Sequence, residues 1–254
     1  MISPKKYQLL LGIAAWALTH GSIVPAEDSA TLAPTPVQAG RPHASSFDPH
    51  GALTPEKMLT VADRHISEGR PQEAVYTLTS AINRYPDEAR LYAVRGSLLL
   101  QQGQITPALQ DLERSVTLEP DNAEVLTNRA QAYRQFERYA EAVADLDRAI
   151  AINPDLVAAH FNRGAMRYIQ GDLNGAREDF DHCIAVDPHL PAPYFNRAAV
   201  LDALGERPAA VEDIERFLRI SDNNGWRQQA QQLLDVWQGR TPERVEPAQP
   251  SPHQ

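Results

Sequence analysis

From Pro55 onward, apolar and small residues return to the same places every 34 residues, and the chain divides without an insertion into units 55–88, 89–122, 123–156, 157–190 and 191–224. Position 20 of the units is Ala74, Ala108, Ala142, Ala176 and Ala210. Position 24 is Leu78, Leu112, Leu146, Phe180 and Ile214, and position 28 is Ile82, Val116, Ile150, Ile184 and Leu218. Steps of four put these three columns on one face of a helix. In the first half of each unit, position 4 is mostly large (Met58, Tyr92, Leu126, His160, Tyr194) and position 8 is always small (Ala62, Gly96, Ala130, Gly164, Ala198). Each unit is therefore expected to hold two antiparallel helices that approach closely at the small columns and fill the seam with the bulky ones.

Two further columns punctuate the helices. Position 15 is Gly69, Gly103, Glu137, Gly171 and Gly205, and a glycine there ends the first helix. Position 32 is Pro86, Pro120, Pro154 and Pro188, with Asp222 in the last unit; proline cannot continue the second helix and turns the chain toward the next hairpin. In the second unit, Thr106-Pro107 reads as an N-cap followed by proline at the first helical position. After the units, Trp226, Ala230, Leu233, Leu234 and Trp237 share one helical face while Arg227, Gln228, Gln229, Gln231, Gln232 and Asp235 occupy the others. A stack of repeats exposes apolar surface at its end, so 225–238 is expected to be a capping helix, with Phe217 filling the altered junction.

A fixed period of 20 to 50 residues marks a repeat architecture, and these columns resemble the tetratricopeptide repeat family over 55–224. The resemblance implies an all-α, right-handed α-solenoid of five tandem helix-turn-helix repeats plus the C-terminal capping helix. His65 and Arg167 depart from the pattern at position 11, where an aromatic or aliphatic residue is usual. The family pattern also implies that the first helices line a concave surface, with positions 2, 5, 6, 9, 12 and 13 facing inward. Asn128, Asn162 and Asn196 then form one column at position 6. An amide both donates and accepts, so such a column suits the main chain of an extended peptide. Arg90, Glu124, Gln131, Arg134 and Gln135 would line units two and three, and Phe161, Tyr168, Ile169 and Phe195 would line units four and five as aromatic and apolar anchors. In the alternative reading, the asparagines cap or bridge helices and the aromatics pack on their own chain.

Position 7 is Arg95, Arg129, Arg163 and Arg197 in the last four units, and position 23 of the same units is Asp111, Asp145, Asp179 and Asp213. Unit one lacks both, having Val61 and Thr77. Joint presence and joint absence point to arginine and aspartate meeting in space, where the guanidinium fork matches a carboxylate. The expected arrangement is an internal ion-pair ladder; the competing one has the arginines gripping a partner's carboxylates.

The ends differ from the repeats. Lys5 and Lys6, the apolar stretch Leu9 to Leu18 and the small-residue site Val24-Pro25-Ala26 are ordered as in a secretory signal peptide, 1–26. The apolar stretch is short of the roughly 20 residues a membrane-spanning helix needs, so cleavage is expected, giving a periplasmic or secreted protein with no stable membrane insertion. Retention of the segment would instead leave the protein anchored and facing the periplasm. Residues 27–54 and 239–254, rich in proline, read as a flexible linker and tail. The formal charge is −9, and losing 1–26 makes it −11, which argues against nucleic acid as a partner. Cys183, the single cysteine, allows no internal disulfide. His160, His182, Cys183 and His189 lie close in sequence, but His182 and Cys183 project about 100° apart on one helix, so a packed thiol is expected and no metal. No phosphate loop, nucleophile elbow or paired-cysteine spacing appears, and neither an enzyme nor a cofactor is expected. The functional expectation is an exported scaffold that holds a protein or extended peptide, with a self-assembling homo-oligomeric organiser as the competing role.

Overall fold

The computed structural model describes residues 54–240. The segments expected as signal peptide (1–26), as nearly all of the linker and as the tail beyond Arg240 lie outside that range. Among the described residues there are eleven helices and no strand. They are α1 (Pro55–Ser67), α2 (Pro71–Arg84), α3 (Ala89–Gln101), α4 (Ile105–Leu118), α5 (Ala123–Gln135), α6 (Tyr139–Ile152), α7 (Val157–Gln170), α8 (Leu173–Val186), α9 (Pro191–Ala203), α10 (Arg207–Ile220) and α11 (Asn224–Trp237). None is long and apolar enough to cross a membrane.

Odd- and even-numbered helices pair as hairpins, α1 with α2 through α9 with α10, and each hairpin packs on the next to give an α-solenoid. The seam is dry: Leu78, Leu112, Leu146 and Ile214 have no exposed surface, nor has any alanine of the position-20 column. Burying each such leucine contributes about 1.5–3 kcal/mol. From unit two onward the odd-numbered helices also touch one another, α3 with α5, α5 with α7 and α7 with α9, whereas the even-numbered helices lack comparable mutual contact. The odd helices therefore sit at the smaller radius and form the inner wall.

The turn inside every hairpin uses the same backbone state. Position 15 has a positive φ in all five units: 69°, 73°, 84° and 84° at Gly69, Gly103, Gly171 and Gly205, and 58° at Glu137, the only such non-glycine among the described residues. Side chains cap several starts: Asn122 accepts from the Val125 amide, Asp172 from Gly175 and Asn223 from Trp226. The expected start at Thr106-Pro107 is corrected. Helix α4 begins at Ile105 with Gln104 at its N-cap, which places Pro107 at the third helical position. Proline is tolerated there because the first-turn N–H groups have no partner within the helix.

At the C-terminal end, Phe217 packs tilted against Phe195 with ring centres 5.2 Å apart, and Phe195 meets Trp226 of α11 edge-on at 5.3 Å. With Ala230, Leu233 and Leu234 buried beneath it, α11 covers the last hairpin. Its outer residues Gln228, Gln231 and Gln232 stay exposed.

Candidate functional site

The inner wall is unequal along its length. In units two and three it is polar and open: Arg90, Glu124, Asn128, Gln131 and Arg134 are half-buried and Gln135 is exposed. Asn128 makes no hydrogen bond to any described residue. Burial pushes the Arg134 guanidinium below its ordinary pKa.

In units four and five the same wall is largely closed. Phe161 and Phe195, expected as groove anchors, are 4% and 5% exposed and belong to the core. Phe161 meets Phe180 edge-on at 5.6 Å, and Phe195 is held between Phe217 and Trp226. The reason is that position 5 looks along the seam as much as into the concavity, and large aromatics at positions 24 and 27 reach back to cover it. Tyr168 is half-buried against the core, and only Ile169 keeps substantial exposure. The asparagine column is likewise split: Asn162 donates Nδ2 to the Ala158 carbonyl at 2.7 Å and Asn196 donates to Ala192 at 3.0 Å, one turn back on their own helices. Asn162 is buried, and the three amides do not present one uniform row.

The arginines and aspartates do meet. Arg95 and Arg129 each give a two-point fork to Asp111 and Asp145, with Nε and Nη2 at 2.7 Å from the two carboxylate oxygens. Arg197 does the same to Asp213 at 2.8 and 2.7 Å, and Arg163 binds Asp179 at 2.7 and 3.1 Å. All four aspartates are buried. The remaining Nη1 reaches into the preceding unit: Arg95 to Thr79 at 3.0 Å, Arg163 to Asp147 at 2.8 Å and Arg197 to Asp181 at 2.6 Å. For Arg129, the hydrogen bonds it donates to Asp145 hold the guanidinium above its ordinary pKa despite burial, and the Glu113 carboxylate of the preceding unit adds a smaller contribution. Each arginine thus ties together the two helices of its unit, and three of them clamp the second helix of the unit before. Arg95, Arg163 and Arg197 thereby have all three nitrogens engaged within the chain, and Arg129 has two of its three.

Profiles of the tetratricopeptide repeat match residues 59–123, 94–156 and 130–191, together more than half of the chain. The chain belongs to the tetratricopeptide repeat family. No curated protein matches it. Among solved structures, PilW, described as a widely conserved type IV pilus biogenesis factor, superposes with a TM-score of 0.67 at 18% identity, over 73% of this chain and 86% of that one. YrrB, described as a TPR protein with an unusual peptide-binding site, gives 0.57 at 18% identity over 69% and 91%. MamA (41-end) from Desulfovibrio magneticus RS-1 gives 0.59 at 15% identity over 66% and 97%. At these identities the likeness is one of fold.

Within the tetratricopeptide frame, one set of contacts is not foreseen from the sequence. The proline carbonyl that closes a unit receives donors from the next: Tyr92 and Arg114 on Pro86, Arg148 on Pro120, and Tyr194 and Arg216 on Pro188. Position 26 carries the signal, being Arg114, Arg148 and Arg216 in units two, three and five, and a search for recurring charge beyond positions 7 and 23 would have found it. Arg167, the departure at position 11, joins Arg163 on Asp179 at 2.9 Å. Cys183 is fully buried, its thiol donating to the Val157 carbonyl at 3.5 Å, and burial pushes its pKa up. Among the described residues no group of three or more His, Cys, Asp or Glu is arranged to hold a metal ion.

Proposed function

We propose that this tetratricopeptide protein is an exported, non-catalytic scaffold that holds a protein or extended peptide against the inner wall of units two and three. The observation that carries the reading is Asn128. It is a half-exposed carboxamide on the smaller-radius face, with neither its donors nor its acceptor engaged by the described residues, and Glu124, Gln131 and Gln135 lie on the same helix. An extended main chain laid along that helix finds alternating donors and acceptors there. Each bond is worth only about 0.5–1.5 kcal/mol net, so several must act together. The peptide-binding site named for YrrB supports the reading by analogy of fold, as does the ordering of Lys5, Lys6 and the apolar Leu9–Leu18 for export. The buried Phe161 and Phe195 and the back-bonded Asn162 and Asn196 are assigned to stability instead.

The test is affinity capture from envelope extract using the exported form, compared with N128A/Q131A. Capture of a defined partner by the natural protein, at least tenfold weaker for the variant with an unchanged melt, supports the wall. Undiminished capture by a fully folded variant refutes it. N-terminal sequencing of protein from the soluble exported fraction should begin at Glu27; a chain retained with Met1 in the cytoplasm would overturn the export half.

A further inference from the structure

Unit one is fastened to the solenoid differently from the units that follow. At the two positions where the others join their helices through a buried arginine–aspartate fork, it has Val61 and Thr77. Both stay half-buried, and Thr77 turns its hydroxyl to its own helix, donating to the Glu73 carbonyl at 2.8 Å. Helices α1 and α2 also touch each other less than those of any other hairpin, and α1 has less contact with α3 than successive odd helices have farther along. The bond across the junction is neutral at its near end. Arg163 and Arg197 reach back to the carboxylates of Asp147 and Asp181 at position 25 of the unit before, at 2.8 and 2.6 Å, whereas Arg95 reaches the Thr79 hydroxyl at 3.0 Å. A hydroxyl offers the guanidinium only a dipole, where a carboxylate adds the attraction of a full charge. A further contact, Gln72 to Gln102 at 3.1 Å, is exposed. Tyr92 and Arg114 hold the Pro86 carbonyl, and Arg114 also Asp87 at 3.0 Å, but these acceptors lie in the turn beyond α2 and do not grip the hairpin itself. The proline carbonyl is held at later junctions too, before unit four by the His160 ring, which stacks on His182 with centres 3.9 Å apart and places Nε2 2.9 Å from Pro154 O. That clasp therefore does not set unit one apart.

The apolar core divides at the same place. Met58, Leu59, Leu78 and Ile82 form, with Leu91 and Leu98 of α3, a cluster of their own, whereas Leu112, Leu126, Leu146 and Phe180 belong to one that runs from unit two into unit five. Unit five also has a separate cluster, but there α11 covers the outer side and Arg197 supplies both the fork and a charged clasp. In a stack of repeats, each unit is held by its own packing and by its interfaces with its neighbours. Among the described residues, unit one has a single interface, and its own packing is the loosest. We propose that unit one is a detachable N-terminal hairpin: α1 and α2 open together as one body while units two to five stay folded. Opening uncovers Leu91 and Leu98 and leaves the Arg95–Asp111 fork in place, since both of its members belong to unit two. The inner wall of units two and three keeps its shape throughout, so the hairpin is a movable end to that wall. Thr79 sets how firmly it closes.

Native-state hydrogen exchange of the full chain, followed by mass spectrometry in urea below the melting transition, tests the hinged hairpin. Peptides of α1 and α2 are expected to exchange through one shared opening, about tenfold or more faster than those of α3 to α10. That opening should depend on urea less steeply than global unfolding does, because it exposes less surface. Two substitutions at one residue supply a test of sign, since valine and aspartate match threonine closely in helix preference. T79V, which removes the acceptor of Arg95, should speed exchange in α1 and α2 about threefold. T79D, which installs the carboxylate found in units three and four, should slow it about threefold. Exchange in α5 to α10 should be the same in both variants. Equal protection of α1–α2 and α3–α10 with the full urea dependence, exchange of α1 without α2, or T79V and T79D exchanging alike would each overturn the proposal.

Discussion

Removal of Arg129 measures what the ladder is worth. Its side chain is 15% exposed and that of Asp145 6%, so the pair lies behind most of the solvent screening that reduces surface ion pairs to fractions of a kcal/mol. Breaking a buried pair by deleting one partner costs about 3–5 kcal/mol, chiefly because the other charge is stranded. The two deletions are not equivalent. In R129A the stranded group is Asp145, a short carboxylate between two helices that cannot swing to water, and the tie toward Glu113 goes as well. In D145A the stranded group is a long guanidinium with more exposure and Tyr133 beneath it at 5.5 Å. We expect about 3 kcal/mol for R129A, near the lower bound because the site is not wholly dry, and about 2 kcal/mol or less for D145A. At about 2–4 °C per kcal/mol for a domain of this size, R129A should melt about 6–12 °C lower. R129M/D145L should recover most of the loss, since an apolar pair of similar volume carries no desolvation penalty. Scanning calorimetry on R129A, D145A and R129A/D145A completes a double-mutant cycle, with R129M/D145L measured beside it. Losses that simply add, or an R129A melt within about 2 °C of the natural protein, would refute the reasoning and return the arginines to the list of candidate partner contacts.

Two further predictions concern the repeat's backbone and seam. Glu137 occupies the left-handed site that glycine fills in the other four units; a side chain there costs about 1–2 kcal/mol and glycine's extra unfolded freedom returns about half of that. E137G should therefore raise stability by about 0.5–1 kcal/mol in urea melts, while E137A, which keeps its Cβ, should not. At Gly164 an added Cβ would lie 3.1 Å from two atoms of the Phe180 ring and 3.1 Å from Asp179 Cβ. G164A should lose about 1 kcal/mol after allowing for alanine's helix preference, and G164A/F180L, which recreates the Ala–Leu combination of units one and three, should regain it. A stabilised G164A would mean that the seam is looser than the contacts show.

The repeat was legible in the sequence because each column encodes a local requirement: a four-residue spacing for one helix face, a small side chain for a close crossing, a left-handed turn, a stop. The cap was legible for the same reason, since Trp226 to Trp237 form one stripe. The arginine–aspartate pairing was readable because it recurs and fails together. The start of α4 was misread at Thr106-Pro107, where a cap signature competed with the register imposed by the neighbouring hairpins.

By itself the sequence determined the period, the helices and their pairing within units, and it matched the arginine column to the aspartate column, because these follow from periodicity and from relations repeated along one chain. Only the tertiary structure decided which inward positions remain open. Phe161 and Phe195 occupy positions assigned to the groove, yet Phe180, Phe217 and Trp226 bury them. Asn162 and Asn196 spend their donors one turn back, while Asn128, in the same column, does not. His160 and His182 became a pair only when the hairpin brought their rings together. Exposure and pairing belong to the packing of several elements at once, and a column read along one helix does not contain the side chains that close over it from the next.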